Sequence, residues 1–171
     1  MRIREASPND ARAIAEVHVA SWRWAYRGLI PDDFLEGLSV DDRETRWREG
    51  LTERSPGRAC VVADDHQGRL VGFAAFGTAA DPASSPEGSG EVHAIYVDEF
   101  VAGTGVGREL FGAAAAGLRE LGYQRAFLWV LATNDRARRF YEKAGWSWDG
   151  AENTHQFECA NEPIVRYVTH L

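Results

Sequence analysis

Three glycines alternate in Val101-Ala102-Gly103-Thr104-Gly105-Val106-Gly107-Arg108, with an apolar stretch, Glu91-Val92-His93-Ala94-Ile95-Tyr96-Val97, just upstream. An amphipathic run follows at once, so the segment reads as strand, glycine loop and helix. Such a loop aims free backbone N–H groups at one point, and the helix start adds partial positive charge there. The chemistry on offer is anion binding, most often of the phosphate of a nucleotide-like ligand. Spacing excludes two familiar phosphate loops. No Gly-Lys pair exists, so there is no Walker loop. The G-x-G-x-x-G register fails as well, because its third position falls on Arg108 or Leu110.

The elements that must position this loop follow from periodicity. Val106, Leu110, Ala114, Leu118 and Leu121 recur at helical spacing, and Gly122 ends the run. Arg125–Leu131 has the composition of a buried strand. Asn134-Asp135 opens a second helix with Ala137, Phe140, Tyr141 and Ala144 on its apolar face and Gly145 as its C-cap. Upstream, Ser7-Pro8-Asn9-Asp10 starts a helix that runs through Ile14, Val17 and Ser21 to about Trp24. Pro31 begins another helical segment, and Val40–Leu51 a third, with Trp47 inward. Arg58–Ala63 and Arg69–Gly77 read as strands of a hairpin. Ala79–Gly90, rich in Ala, Ser, Pro and Gly, reads as a mobile loop, and His155–Cys159 with Ile164–His170 as a terminal hairpin.

Two motifs in this order resemble the GCN5-related N-acetyltransferase (GNAT) family. The family's pyrophosphate motif, [Q/R]-x-x-G-x-[G/A], corresponds to Ala102-Gly103-Thr104-Gly105-Val106-Gly107, with Ala102 in the leading position. A later motif, N-x-x-A-x-x-[FL]-Y-x-x-x-G-[FW], corresponds to Asn134, Ala137, Phe140, Tyr141, Gly145 and Trp146. Ala102 removes one side-chain contact and leaves the backbone cradle intact. The resemblance implies an α/β fold: a central mixed, mostly antiparallel twisted sheet of about seven strands, flanked by about four helices and splayed between strands 4 and 5. It implies one N-acetyltransferase domain over residues 1–171 and acetyl-CoA as cosubstrate.

Site residues follow from the same resemblance. The pyrophosphate is expected on the backbone of Ala102, Gly103, Thr104, Gly105, Val106, Gly107 and Arg108, with Asn134 and Arg136 beside the pantetheine arm. The thioester lies along Ile95, Tyr96 and Val97, whose backbone supplies the oxyanion donor. Tyr141 is the general acid for the departing thiolate; its ordinary pKa of about 10 keeps it protonated. Glu91 is placed as general base, with His93 as the alternative and His18 as a third candidate. Alternation puts Glu91, His93, Ile95 and Val97 on one strand face. Trp22, Trp24 and Tyr26 are expected in the acceptor pocket, and Asp32 and Asp33 are acids able to attract a cationic amine.

Charge and composition bound the rest. The net charge of −7 argues against general nucleic-acid binding. Residues 101–145 nevertheless hold seven Lys/Arg and four Asp/Glu, so the proposed anion site is locally positive. No apolar run is long enough to span a bilayer, and the first residues lack a signal peptide's apolar segment. Cys60 and Cys159 read as buried free thiols, and the five histidines show no metal-ligand spacing. These features fit a cytoplasmic enzyme without a metal, with a homodimer left open. The leading reading is transfer of the acetyl group of acetyl-CoA to a primary amine of a small molecule, by direct attack in a ternary complex. Acetylation of a peptide N-terminus or lysine, or a non-catalytic acetyl-CoA sensor, are the alternatives.

Overall fold

The computed structural model describes residues 1–53, 56–156 and 161–171. In chain order the strands and α-helices are β1 (Arg2–Glu5), α1 (Ala11–Ala25), α2 (Asp32–Glu36), α3 (Val40–Glu53), β2 (Arg58–Asp64) and β3 (Leu70–Thr78). They continue with β4 (Ser89–Val97), α4 (Val106–Glu120), β5 (Arg125–Leu131), α5 (Asp135–Lys143), β6 (Ser147–Gln156) and β7 (Asn161–His170). The seven strands form one sheet in the order β1-β2-β3-β4-β5-β7-β6. Every neighbouring pair is antiparallel except β4 and β5, which run parallel.

Helices cover the sheet unevenly. On one face, Ile14 and Val17 of α1 and Trp47 and Leu51 of α3 pack on Cys60, Val62, Leu70 and Phe73. On the other, Leu110, Ala114 and Leu118 of α4 and Tyr141 of α5 pack with Val71, Ala74, Phe76 and Val92. Burial of these apolar stripes drives the assembly, at about 25 cal/mol per Å² of apolar surface removed from water. The start of α1 is fixed by charge. Asp10 accepts from the Ser7 N–H at 2.7 Å and from Arg4, which also reaches Asp64 on β2. The Arg4 guanidinium holds the Asp10 carboxyl down at about 2.

Several boundaries differ from the periodicity. Leu121 caps α4 and is exposed, and Ala144 of the α5 terminus is exposed too, because each follows the last turn that faces the sheet. Strand β4 begins at Ser89, and Pro82–Ser84 forms a 3-10 turn, so the connection after β3 is shorter than Ala79–Gly90. Strand β6 begins at Ser147, well before the expected terminal hairpin. Cys60 is a buried free thiol; Cys159, with 157–160, lies outside the described residues.

Candidate functional site

The parallel pair is the origin of the site. β4 and β5 are in register only over Ser89–Glu91 against Arg125–Phe127, after which the strands part. Beyond Glu91 the β4 edge facing β5 therefore lacks its ladder partner, and a cleft opens in the middle of the sheet. The end of β4 is anchored to α1 by the Ser21 hydroxyl, which donates to the Val97 carbonyl at 2.8 Å.

A β-bulge sets the side-chain directions along β4. Ala75 of β3 faces Ala94, while the next residue, Phe76, faces Val92, so His93 is the extra residue. Such a residue reverses the alternation on either side of it. Ile95 and Val97 pack with the α4 core, as Val92 does, whereas Ala94 and Tyr96 pack with the α1 core. Glu91, adjacent to Val92, thus shares its face with Ala94 and Tyr96. The single face expected for Glu91, His93, Ile95 and Val97 is corrected by this bulge, which periodicity alone does not reveal.

At the far end of the cleft the glycine loop takes a conformation that L side chains rarely adopt. Gly103 has φ +82° and Gly105, the N-cap of α4, has φ +102°. Left-handed backbone at these positions turns the loop into the start of α4. Gly107 lies inside α4 against the Phe140 ring.

A cavity of about 550 Å³ joins these parts. Its lining includes Ala102, Gly103 and Gly107 from the loop region, Ile95, Tyr96 and Val97 from β4, and Asn134, Arg136 and Tyr141 from α5 and its cap. Trp22, Trp24 and Tyr26 of α1 and its C-cap line it from the other side, with Glu91 and His93 between. Of the expected cofactor residues, Thr104, Gly105, Val106 and Arg108 do not line it. Thr104, Gly105 and Arg108 are exposed at the loop's outer side, and the Val106 side chain is buried in the core. Their part in an anion cradle rests on backbone N–H groups alone, and the Thr104 N–H already donates to the Val101 carbonyl at 3.2 Å.

The titratable groups of the cavity are coupled. The Tyr26 and Tyr96 hydroxyls are 2.9 Å apart, and burial raises the pKa of both. Burial, with Tyr96 nearby, also pushes the Tyr141 hydroxyl up, so it keeps its proton. Its ring packs on Phe111, Phe140 and Tyr167. Glu91 Oε2 accepts from the Ala80 N–H at 2.7 Å and lies 3.3 Å from His93 Nδ1. Burial disfavours the Glu91 carboxylate, but the His93 and Ala80 hydrogen bonds outweigh it and leave the pKa lowered. His93 Nε2 is buried and has no hydrogen-bond partner among the described residues. The Asn134 Oδ1 accepts from the Ala137 N–H at 3.1 Å and caps α5, which leaves its NH₂ group as the donor to the cavity.

The remaining sequence candidates fall elsewhere. His18 is neutral: burial, helped by Arg43, depresses its pKa to about 3, and the Trp47 indole donates to its Nδ1 at 3.1 Å. A base that weak does not deprotonate an amine. Asp32 and Asp33 are exposed at the start of α2 and do not line the cavity. Trp22 and Trp24 both line the cavity, Trp24 under the Arg136 guanidinium at 3.8 Å and Trp22 at 5.1 Å from Arg43. The sequence reading missed Asn153, Thr154 and His155 of β6 and Ala80, Asp81 and Ser84 after β3. Only the β5-β7-β6 order brings β6 here, and no local motif signals it.

The sheet is thus parted over a glycine loop, with a tyrosine and a histidine–carboxylate pair in the gap. The description Acetyltransferase (GNAT) family matches residues 17–146, and the chain belongs to that family. The N-acetyltransferase YuaI of Bacillus subtilis (strain 168) is 38% identical over 133 residues, which cover 77% of this chain and 72% of that one. The fold matches PaiA N-acetyltransferase of Thermoplasma acidophilum in complex with coenzyme A, with TM-score 0.76, 18% identity and 96% of each chain covered. It also matches yncA of Salmonella typhimurium, a structure with its cofactor acetyl-CoA, with TM-score 0.71, 18% identity and coverage of 99% of this chain and 93% of that one. The chain is thus an acetyl-CoA-dependent N-acetyltransferase. No helix among the described residues is long and apolar enough to cross a membrane.

Proposed function

We propose that the protein transfers the acetyl group of acetyl-CoA directly to the primary amine of a small molecule bound in the same cleft. The observation that carries this reading is the single cavity reaching from the glycine loop and Tyr141, through the β4–β5 gap, to Trp22, Tyr26 and His93. The site fits the cosubstrate: the Gly103–Arg108 backbone is shaped as an anion cradle, and the unpaired edge of β4 suits an amide-bearing arm. Acetyl-CoA supplies an activated acyl group. The chain's own residues do the rest. Backbone groups around Ile95–Val97 stabilise the carbonyl oxygen as it gains charge. Asn134 orients the arm and Tyr141 donates its proton to the departing sulfur.

His93 is the proton acceptor in this proposal, and Glu91 is its positioning residue. A carboxylate on Nδ1 fixes the tautomer with the proton there and leaves the Nε2 lone pair to take the proton of the amine. Glu91 as the direct base is less well supported, because its carboxylate is engaged by Ala80 and His93 and its pKa is lowered. Direct attack is favoured over an acetyl-enzyme. Cys60 is buried, and burial, with a smaller contribution from Asp10, pushes its thiol up to about 12. A small acceptor is favoured over a peptide because the Trp22, Tyr26 and Tyr96 rings pack together at the acceptor end. A panel of primary amines assayed for CoA thiol release tests the proposal. Acetylation of at least one small amine supports it, and turnover confined to peptides or absent throughout contradicts it.

A further inference from the structure

A second cavity, of about 360 Å³, lies between the sheet and the α1–α3 layer. It shares His93 and Ala94 with the first cavity, so the bulged residue of β4 forms the wall between them. Three guanidinium groups line it, from Arg43 and Arg46 on α3 and Arg58 at the start of β2, against a single carboxylate, Glu5. Arg46 and Arg58 are exposed, so the cavity has a positive rim in a chain whose net charge is −7. Neither Arg46 nor Arg58 forms an ion pair with a described residue, whereas Arg12 on α1 is tied to Asp41 and Arg48 on α3 to Glu44. Arg43, which lines the second cavity, sits over Trp22 of the first at 5.1 Å, so its charge lies beside both.

The polar lining suits an anion in a further respect. Trp47 donates to His18 Nδ1, so the neutral His18 ring carries its proton on Nε2 and has an N–H to give within the lining. The floor is apolar, with Cys60 and Ala75 of the sheet and Leu51 of α3. A mixed pocket of this size, with a few convergent donors, suits the body of a small ligand.

We propose that the second cavity selects the acceptor: the amine substrate also carries an anionic group, a carboxylate or a phosphonate, which Arg43, Arg46 and Arg58 hold while its amine reaches past His93 to the thioester. The inference rests on the acetyl-transfer reading for its chemistry, but the selection it describes is measurable as binding. The charge pattern excludes a polyamine as the preferred acceptor, since a second ammonium group would meet three guanidinium groups.

The test uses matched ligands that differ in the anion. Binding of 4-aminobutyrate is compared with n-butylamine, L-phenylalanine with phenethylamine, and 3-aminopropylphosphonate with n-propylamine, each in the presence of CoA. The same pairs are titrated into the Arg46→Gln/Arg58→Gln double variant and into Arg119→Gln, a surface change on α4 away from both cavities. In the wild type the anionic member of at least one pair binds about tenfold or more tightly. That preference falls toward parity in the double variant and persists in Arg119→Gln. The carboxylate and phosphonate pairs show which anion is preferred. Equal binding within all three pairs, or a preference that survives the double variant, overturns the inference. Acetylation of n-butylamine, phenethylamine and n-propylamine in parallel solutions, with acetyl-CoA in place of CoA, reports separately on the acetyl-transfer reading, so either proposal can fail alone.

Discussion

The cofactor side and the acceptor side of the cleft are built by different means. The segment from β4 through α5 makes its half of the proposed site largely from backbone, a parted strand, two left-handed glycines and a helix start, joined by the Asn134 and Tyr141 side chains. The proposed acceptor half is made from side chains on α1, α3, β2 and β4, brought together only by tertiary packing. Backbone sites leave a sequence signature because glycine is needed at fixed spacing. Side-chain sites assembled from separate elements leave none, because their residues are far apart in the chain, whereas Asn134 and Tyr141 share one helix and its cap and do leave a motif. The contrast predicts that changes on the cofactor side act through binding or leaving-group chemistry, and those on the acceptor side through proton transfer and selectivity.

The largest effect is expected where the two halves meet the sulfur. Tyr141→Phe keeps the ring packing on Phe111 and Phe140 and removes the hydroxyl. Steady-state kinetics should show turnover lower by about 10²–10⁴-fold with little change in KM for acetyl-CoA. Unchanged turnover would reduce Tyr141 to a packing residue.

Next in size is the cradle. Gly105→Glu imposes a side chain at φ +102° and a negative charge beside the anion site. Calorimetry should show acetyl-CoA affinity reduced by about 100-fold or more. An unaltered affinity would remove the backbone account of the cofactor side. Ala102→Gln restores the side chain at the motif's leading position and should leave binding equal or tighter.

On the acceptor side the effects are smaller and depend on pH. His93→Gln should slow acetylation at neutral pH by about 10–100-fold, and Glu91→Gln by less. Both should recover in part at high pH, where the free amine is abundant, and cofactor affinity should hold in both. A silent His93→Gln with a damaging Glu91→Gln would reverse the two roles.

How much of this was legible in the sequence follows the same division. The glycine loop, α4, β5 and α5 were readable because helical period and glycine punctuation are local. The parting of β4 from β5 came with the family resemblance. The bulge at His93 was not readable: it is set by the pairing of Ala75 and Phe76 with β4, and it moved Glu91 to the face opposite Ile95 and Val97. The Glu91–Ala80 hydrogen bond and the contact of His18 with Trp47 also join residues that no spacing rule connects.

The smallest expected effect concerns stability. His18 has a folded pKa depressed from 6.5 to about 3 by burial and by Arg43, so the unfolded chain binds the extra proton first on acidification. Its contribution is intact above 6.5 and is lost as pH falls toward 3, with a slope of at most about 1.4 kcal/mol per pH unit for one proton. Denaturant titrations of wild type and His18→Gln should show a shallower loss in the variant over that window. Equal slopes would mean that His18 is not held neutral by the α1–α3 layer.

Direct transfer within one cleft is tested by mixing stoichiometric protein with acetyl-CoA and following free thiol and chain mass before and after adding an accepted amine. The account predicts no CoA release beyond slow hydrolysis until the amine arrives, then equal amounts of CoA and acetylated amine, with the chain mass unchanged throughout. One equivalent of CoA released before the amine, with the acetyl group found on the chain, would contradict it.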